Sequence, residues 1–113
     1  MITIYHNPRC AKSRQGLAIV EESGKEFQVV KYLEEPLSES QLKTIVKQLQ
    51  CKPIDLVRIN EPIWKEKYKG KTLTDDAVIK AMANYPKLIE RPIVVNKDKA
   101  VIGRPPEKIQ HIL

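Results

Sequence analysis

Hydrophobic and polar positions alternate at the start of the chain and then change to helical spacing. Residues 2–5 alternate and are rich in β-branched and aromatic types, which predicts a strand. An Asn7-Pro8 turn follows, and the next apolar positions predict a helix over 10–22, ended by Ser23-Gly24. Residues 27–32 predict a second strand. Strand, helix and strand in this order form a βαβ unit, whose two strands are parallel and joined by a right-handed crossover.

The middle of the chain has helical spacing and no strand pattern. Ser38 followed by Gln41 is typical of a helix N-terminus. Apolar residues then recur at positions 42, 45, 46 and 49, which is one face of an amphipathic helix. Further helical stretches are predicted from Pro53 through Arg58, from Pro62 through Trp64, and from residues 74–76 to 84–86.

The C-terminal part returns to strand patterns. Residues 92–95 predict a buried strand, 96–99 a hairpin turn, and 100–102 a strand that pairs back. Pro105-Pro106 begins a last helix. The order βαβ, helices, ββα predicts an α/β, thioredoxin-like fold with a mixed four-stranded sheet. Residues 1–113 are expected to form one domain, with a helical insertion at roughly 38–88.

Composition narrows the class of protein. The 113 residues are 42% hydrophobic and 30% charged, as in an ordinary soluble domain. Apolar stretches are too short to cross a membrane, and no signal peptide precedes the first strand, so we expect a cytoplasmic protein without a membrane partner. The net charge of +6 favours anionic partners. Few aromatic residues and no nucleic-acid-binding motif argue against nucleic acid.

Cys10 is the candidate nucleophile. It is expected at the N-terminus of the first helix, where free backbone N–H groups and the helix dipole favour a negative charge. Arg9, Lys12 and Arg14 lie within four residues of it. Each of these features stabilises a thiolate over a thiol, and the same N–H groups can bind an oxyanion. Cys51 has no such neighbours and is interpreted as a small buried hydrophobic residue.

The residues around Cys10 leave two roles open. Ser13 takes the second position of a C-x-x-C spacing, so no disulfide can form within this motif. Its hydroxyl either donates to the thiolate or an anion, or belongs to a plain first-turn residue. His6 either tunes the thiolate or holds the loop by a hydrogen bond. The two Cys and two His residues match no zinc spacing, so no metal site is expected.

Several separated motifs together resemble the glutaredoxin-linked arsenate reductases, in particular the short chromosomal members, which are related to Spx proteins. The motifs are Tyr5-His6-Asn7-Pro8-Arg9-Cys10-Ala11-Lys12-Ser13-Arg14, Tyr32-Leu33-Glu34-Glu35-Pro36, Arg58 before Asn60-Glu61-Pro62, Arg91-Pro92-Ile93-Val94-Val95 and Gly103-Arg104-Pro105. They cover nearly the whole chain in the right order. We expect the chain to lack the C-terminal extension of the plasmid-type enzymes, because the sequence stops at Leu113.

The resemblance implies a set of roles. Cys10 is the nucleophile, and three arginines from distant segments bind the oxyanion: Arg58, Arg91 and Arg104. The loop histidine and helix serine correspond to His6 and Ser13, and Pro92 corresponds to a cis-proline beside the thiol. The implied substrate is arsenate or a similar oxyanion. Glutathione is the implied cosubstrate and glutaredoxin the implied partner, with no bound cofactor.

The implied activity is the reduction of arsenate to arsenite, a step in arsenic detoxification. Two other functions share parts of this sequence pattern. One is an Spx-like, redox-responsive protein that binds RNA polymerase, although such proteins carry a second thiol where Ser13 stands. The other is a glutathione-dependent thiol oxidoreductase with another substrate, which would need Cys10 but not three arginines.

Overall fold

The computed structural model describes residues 1–113 and divides into two compact units. The first unit comprises Met1–Glu35 and Arg91–Leu113, and the second comprises Pro36–Glu90. The second unit begins and ends within a few residues of the predicted helical insertion. That all 113 residues act as one domain stays a prediction.

The first unit is built on a four-stranded sheet. Its strands are β1 (Ile2–Tyr5), β2 (Phe27–Val30), β3 (Ile93–Asn96) and β4 (Lys99–Ile102), in the order β2-β1-β3-β4. β1 is parallel to β2, whereas β3 is antiparallel to both β1 and β4. This confirms the predicted mixed sheet and the thioredoxin-like fold.

One face of this sheet carries the core of the first unit. Ile2 and Ile4 point to the same face of β1, because side chains alternate along a strand, and both are buried. Helix α1 (Ala11–Glu22) and a 3-10 helix (Pro106–Ile112) pack against each other, and their residues join the same apolar cluster. The last helix was predicted without its type, and the structure shows that it is a 3-10 helix.

The second strand is shorter than predicted. It ends at Val30 rather than at residue 32, because the chain turns at Lys31. The backbone N–H groups of Glu34 and Glu35 both donate to the Lys31 carbonyl, each at 2.9 Å. Tyr32 therefore lies in a turn rather than in the sheet, and its side chain is buried.

The second unit contains the amphipathic helix α2 (Glu39–Leu49), whose predicted start is confirmed. The Ser38 hydroxyl accepts a hydrogen bond from the Gln41 backbone N–H at 3.1 Å, and the Gln41 side chain accepts one from the Ser38 N–H at 2.9 Å. These reciprocal bonds satisfy two donors that a helix start leaves unpaired. The buried face of α2 consists of Leu42, Ile45 and Val46.

The remaining helices of the second unit are short. They are a 3-10 helix (Pro53–Leu56), α3 (Pro62–Lys67), α4 (Asp75–Asn84) and a second 3-10 helix (Pro86–Leu88). The prediction that the stretch from Pro53 stays helical through Arg58 is wrong, because Val57 forms an antiparallel bridge with Ile89. None of the helices in residues 1–113 has the length and apolar character needed to cross a bilayer.

Candidate active site around Cys10

Cys10 is the N-cap residue of α1, as the sequence predicts. Its backbone is extended, with φ −99° and ψ 123°, and its carbonyl accepts the first helical hydrogen bond from the Arg14 N–H at 3.0 Å. The Cys10 N–H donates to the Asn7 carbonyl at 3.0 Å, which closes the loop. The half-buried thiol thus lies at the positive end of a 12-residue helix whose first turn has no acidic residue.

A buried hydrogen-bond network stabilises the loop that precedes Cys10. Ser13 is fully buried, and its Oγ accepts from the Asn7 N–H at 2.9 Å and lies 2.6 Å from His6 Nδ1. Burial, and then the positive charges of Lys31 and Arg14, lower the pKa of His6. The neutral form of His6 is therefore favoured, and its Nδ1 shares a hydrogen bond with the Ser13 hydroxyl.

This geometry fits a loop-holding role for His6 and neither of the two roles expected of the Ser13 hydroxyl, and the part of both residues in catalysis stays a prediction. The Ser13 Oγ hydrogen-bonds with His6 and Asn7, so the hydroxyl supports the loop, and the serine contacts the sulfur through its backbone N–H. Asn7 belongs to the same network and was not among the predicted site residues. Its side-chain oxygen also accepts from the Arg9 N–H at 3.0 Å, and an Asn-Pro pair before a helix is the signal for such a turn.

Two of the three predicted arginines lie against Cys10. Arg104 Nη2 donates to Cys10 Sγ at 3.6 Å, and Arg104 Nε donates to the Arg91 carbonyl at 3.0 Å. The Arg91 side chain also hydrogen-bonds the thiol. Segments that are 81 residues or more from Cys10 in sequence therefore place two guanidinium groups at one sulfur.

The environment of Cys10 favours the thiolate. Burial opposes ionisation, but hydrogen bonds from the Ser13 backbone N–H and the Arg91 side chain outweigh it. The charge of Arg91 and the Lys12 backbone N–H add to this effect, and the pKa of the Cys10 thiol is lowered from its ordinary value. A thiolate is the nucleophilic form of cysteine, so the sulfur is activated.

Pro92 fixes the position of the arginine segments. The Arg91-Pro92 peptide bond is cis, as the resemblance implied, and the Arg104-Pro105 bond is also cis, which the sequence reasoning did not anticipate. The Pro92 carbonyl accepts from the Gly103 N–H at 2.8 Å. A Cβ on Gly16 would lie 2.7 Å from Pro92 Cγ, so the proline packs directly on the backbone of α1.

Arg58 belongs to the second unit. Its Nη1 donates to Glu90 Oε1 at 2.8 Å, and both side chains are about one quarter exposed (25% and 24%). The pair borders a cleft of about 440 Å³ that is also lined by Asn60 and Glu61. The structure therefore joins Arg91 and Arg104 to Cys10, whereas the role of Arg58 as an oxyanion ligand stays a prediction. Glu90 was missed, because its partner is 32 residues away in sequence.

Cys51 differs from Cys10 in its electrostatics. Burial, followed by the negative charge of Asp55, raises the pKa of the Cys51 thiol. It is therefore the less reactive of the two thiols at neutral pH. No group of three or more His, Cys, Asp or Glu side chains is arranged to hold a metal ion in residues 1–113.

Comparison with known proteins gives one consistent family. YfgD, an uncharacterised protein of Escherichia coli strain K12, is 45% identical over 99% of this chain and 96% of its own length. An arsenate reductase of Neisseria meningitidis serogroup A is 42% identical, over 99% and 97%. A solved arsenate reductase structure from Vibrio cholerae superposes with a TM-score of 0.95 at 47% identity, covering 99% of this chain and 97% of that one. The model of the ArsC family matches residues 5–112. The chain therefore belongs to the ArsC family.

Proposed function

We propose that the chain reduces arsenate to arsenite, with Cys10 as the nucleophile and with glutathione and glutaredoxin as the source of electrons. The observation that carries the proposal is the Cys10 sulfur, which has a lowered pKa and is contacted by Arg91 and Arg104. The chain belongs to the ArsC family and is similar to proteins named arsenate reductase, and both findings support arsenate as the substrate.

The first step is the attack of the Cys10 thiolate on arsenic. A sulfur–arsenic bond forms and one arsenic–oxygen bond breaks, and the departing oxygen leaves as water after taking up protons. Arsenic remains pentavalent in this adduct. Arsenate at neutral pH is largely a dianion, so its transfer from water needs more than one cation. Arg91 and Arg104 supply planar donor groups that keep their charge.

The second step transfers two electrons to arsenic. The glutathione thiolate attacks the Cys10 sulfur, a disulfide bond forms between the two sulfurs, and the sulfur–arsenic bond breaks with its electron pair left on arsenic. Arsenite leaves as trivalent arsenic, and Cys10 remains as a mixed disulfide with glutathione. Since Ser13 stands where a second motif thiol would be, an external thiol from glutaredoxin then reduces this disulfide.

The test is arsenate-dependent oxidation of NADPH in the presence of glutathione, glutaredoxin and glutathione reductase. The Cys10→Ser variant should lose the activity completely, whereas Cys51→Ser should keep it, since the Cys51 thiol takes part in no step. Activity that persists in Cys10→Ser would refute the proposal.

The arginines separate this activity from that of a general thiol oxidoreductase. Arg104→Gln should lower arsenate turnover roughly 100-fold, the usual effect of removing one charged donor from a developing anion. Reduction of a neutral disulfide should stay within about threefold when it is measured at a pH where Cys10 is fully ionised. Equal losses for both substrates would favour the oxidoreductase. Capture of RNA polymerase without arsenate turnover would favour the Spx-like function.

A further inference from the structure

The segment around Cys10 is rich in positive charge. Residues 1–20 contain no Asp or Glu, and Arg9, Lys12 and Arg14 are all exposed. We name these three residues the basic collar. The Arg14 Nη1 donates to the Pro8 carbonyl at 2.9 Å, so its charge is oriented by the loop but not neutralised. Arg9 and Lys12 take part in neither of the two salt bridges of the structure, which both lie in the second unit.

The basic collar differs from the two arginines at the sulfur. Arg104 is part-buried and contacts Cys10 Sγ, and Arg91 hydrogen-bonds the same sulfur. Once the thiolate and a bound arsenate are counted, the charge of these two inner arginines is offset. The side chains of Arg9 and Lys12 are in water, and their charge remains available to a second anion that approaches the adduct.

The second reactant of the proposed cycle is such an anion. Glutathione carries two carboxylates and one ammonium group, and its net charge is negative at pH 7. Its sulfur must reach the Cys10 sulfur next to an oxyanion that repels it. Like charges at close range slow an encounter, and cations at the rim of a site speed it.

We propose that Arg9 and Lys12 select an anionic low-molecular-weight thiol as the reactant that resolves the Cys10 adduct. This inference rests on the proposed function and deepens it by naming the residues that choose the electron donor. The selection acts on the rate of encounter, so it weakens as salt is added. A thiol whose attacking form carries less net negative charge gains less from the collar.

The test uses Cys10 as a neutral mixed disulfide with thiopyridine, in the Cys51→Ser chain. An incoming thiolate attacks the Cys10 sulfur, a new disulfide forms, and thiopyridone leaves with the electron pair and is followed by its absorbance. The three thiols compared are glutathione, its diethyl ester, in which both carboxylates are blocked, and 2-mercaptoethanol. Each observed rate is corrected for the fraction of the thiol that is ionised.

Glutathione should react roughly three- to tenfold faster than its diester at low ionic strength, and this ratio should approach unity at about 1 M salt, where the Debye length is ~3 Å. In the Arg9→Gln/Lys12→Gln double variant the ratio should fall at least twofold at low salt, and the preference that remains is due to Arg91 and Arg104, whose charge the neutral mixed disulfide does not offset. The 2-mercaptoethanol thiolate carries one negative charge, against a net two for the glutathione thiolate, so its rate should fall by a smaller factor than the glutathione rate. The charge-conserving Arg9→Lys/Lys12→Arg variant should restore the ratio.

The matched control is Lys25→Gln/Lys99→Gln. These two exposed lysines of the first unit lie beyond the far end of α1 and at the hairpin end of β4, away from Cys10. This variant loses the same charge and should keep the ratio of the parent chain. An equal loss in both double variants would overturn the inference, since net charge alone would then explain the effect.

Two further outcomes would also overturn it. If glutathione and its diester react equally with the parent chain at low salt, the collar does not select the thiol. If the double variant slows 2-mercaptoethanol as much as glutathione, the loop has changed shape and charge is not the cause. The assay contains no arsenate, so it reads the collar even if the chain fails to reduce arsenate. Conversely, if the chain reduces arsenate but reacts equally fast with glutathione and its diester, the proposed function holds and the role of the collar is refuted.

Discussion

The buried hydroxyl of Ser13 is the part of the loop whose removal has the most predictable effect. The Ser13→Ala substitution removes one oxygen from a fully buried position in the first turn of α1. That oxygen is 2.9 Å from the Asn7 N and 2.6 Å from His6 Nδ1. Both partners are themselves buried, with exposed fractions of 9% and 4%, so bulk water does not replace the lost contacts.

The size of the effect follows from two opposing contributions. Each buried polar group that loses its partner destabilises the folded state by about 1–3 kcal/mol, and two groups lose one here. Alanine regains about 0.5 kcal/mol because it is the better helix former. We therefore expect Ser13→Ala to lower the free energy of unfolding by about 1.5–5.5 kcal/mol.

The assay is urea unfolding followed by circular dichroism. The midpoint should fall while the dependence of the free energy on urea stays unchanged. The control is Ser40→Ala, an exposed serine in the first turn of α2, which should change the free energy by about 0.5 kcal/mol or less. If Ser13→Ala cost no more than this control, the hydroxyl would not support the loop and the reasoning would be refuted.

Three more substitutions test other parts of the structure. Gly16→Ala should destabilise the chain by about 1–2 kcal/mol in urea unfolding, since the clash with Pro92 outweighs the better helix propensity of alanine. The stability of the parent chain relative to Cys10→Ser should rise with pH between the lowered pKa of the folded thiol and the ordinary value of 9.0, because the folded state holds the thiolate more strongly than the unfolded one. Glu90→Gln should cost about 1 kcal/mol, since it breaks a part-buried ion pair with Arg58.

Each of these has a result that contradicts it. A stabilised Gly16→Ala chain would mean that the neighbouring side chains move aside freely. A stability difference that stays flat from pH 6 to pH 10 would mean that the Cys10 thiol ionises alike in both states. For Glu90→Gln the comparison is Lys43→Gln, which breaks an exposed pair with Asp76 at 3.5 Å and should cost about 0.3 kcal/mol or less. Equal losses of stability in Glu90→Gln and Lys43→Gln would mean that partial burial does not strengthen the Arg58–Glu90 pair.

Local patterns explain why much of the fold is visible in the sequence. The start of α2 depends on Ser38 and Gln41, which are three positions apart, and the hairpin depends on two residues, of which Lys97 has a positive φ of 59°. Such signals need no knowledge of distant segments. The position of Cys10 at the start of α1 follows in the same way from the Asn7-Pro8 turn.

Features that depend on distant segments were missed or misplaced. Val57 leaves the predicted helix because it pairs with Ile89, and Arg58 meets Glu90 through the same bridge. The hydrogen bond of the Ser13 hydroxyl was not predicted because its partner His6 lies seven residues earlier, where the loop leaves β1. For the arginines, the resemblance supplied the identities of Arg91 and Arg104, and the folded sheet explains how they reach one sulfur.

Whether Cys10 is held as a thiolate is tested most directly by a pH titration of the ultraviolet absorbance of the thiolate in the Cys51→Ser chain, where Cys10 is the remaining thiol. The midpoint should lie below that of an ordinary cysteine, and Arg91→Gln should move it back towards the ordinary value because one hydrogen bond and one positive charge are lost. A midpoint at or above the ordinary value, or one that Arg91→Gln leaves unmoved, would contradict the claim that this sulfur is held as a thiolate by its surroundings.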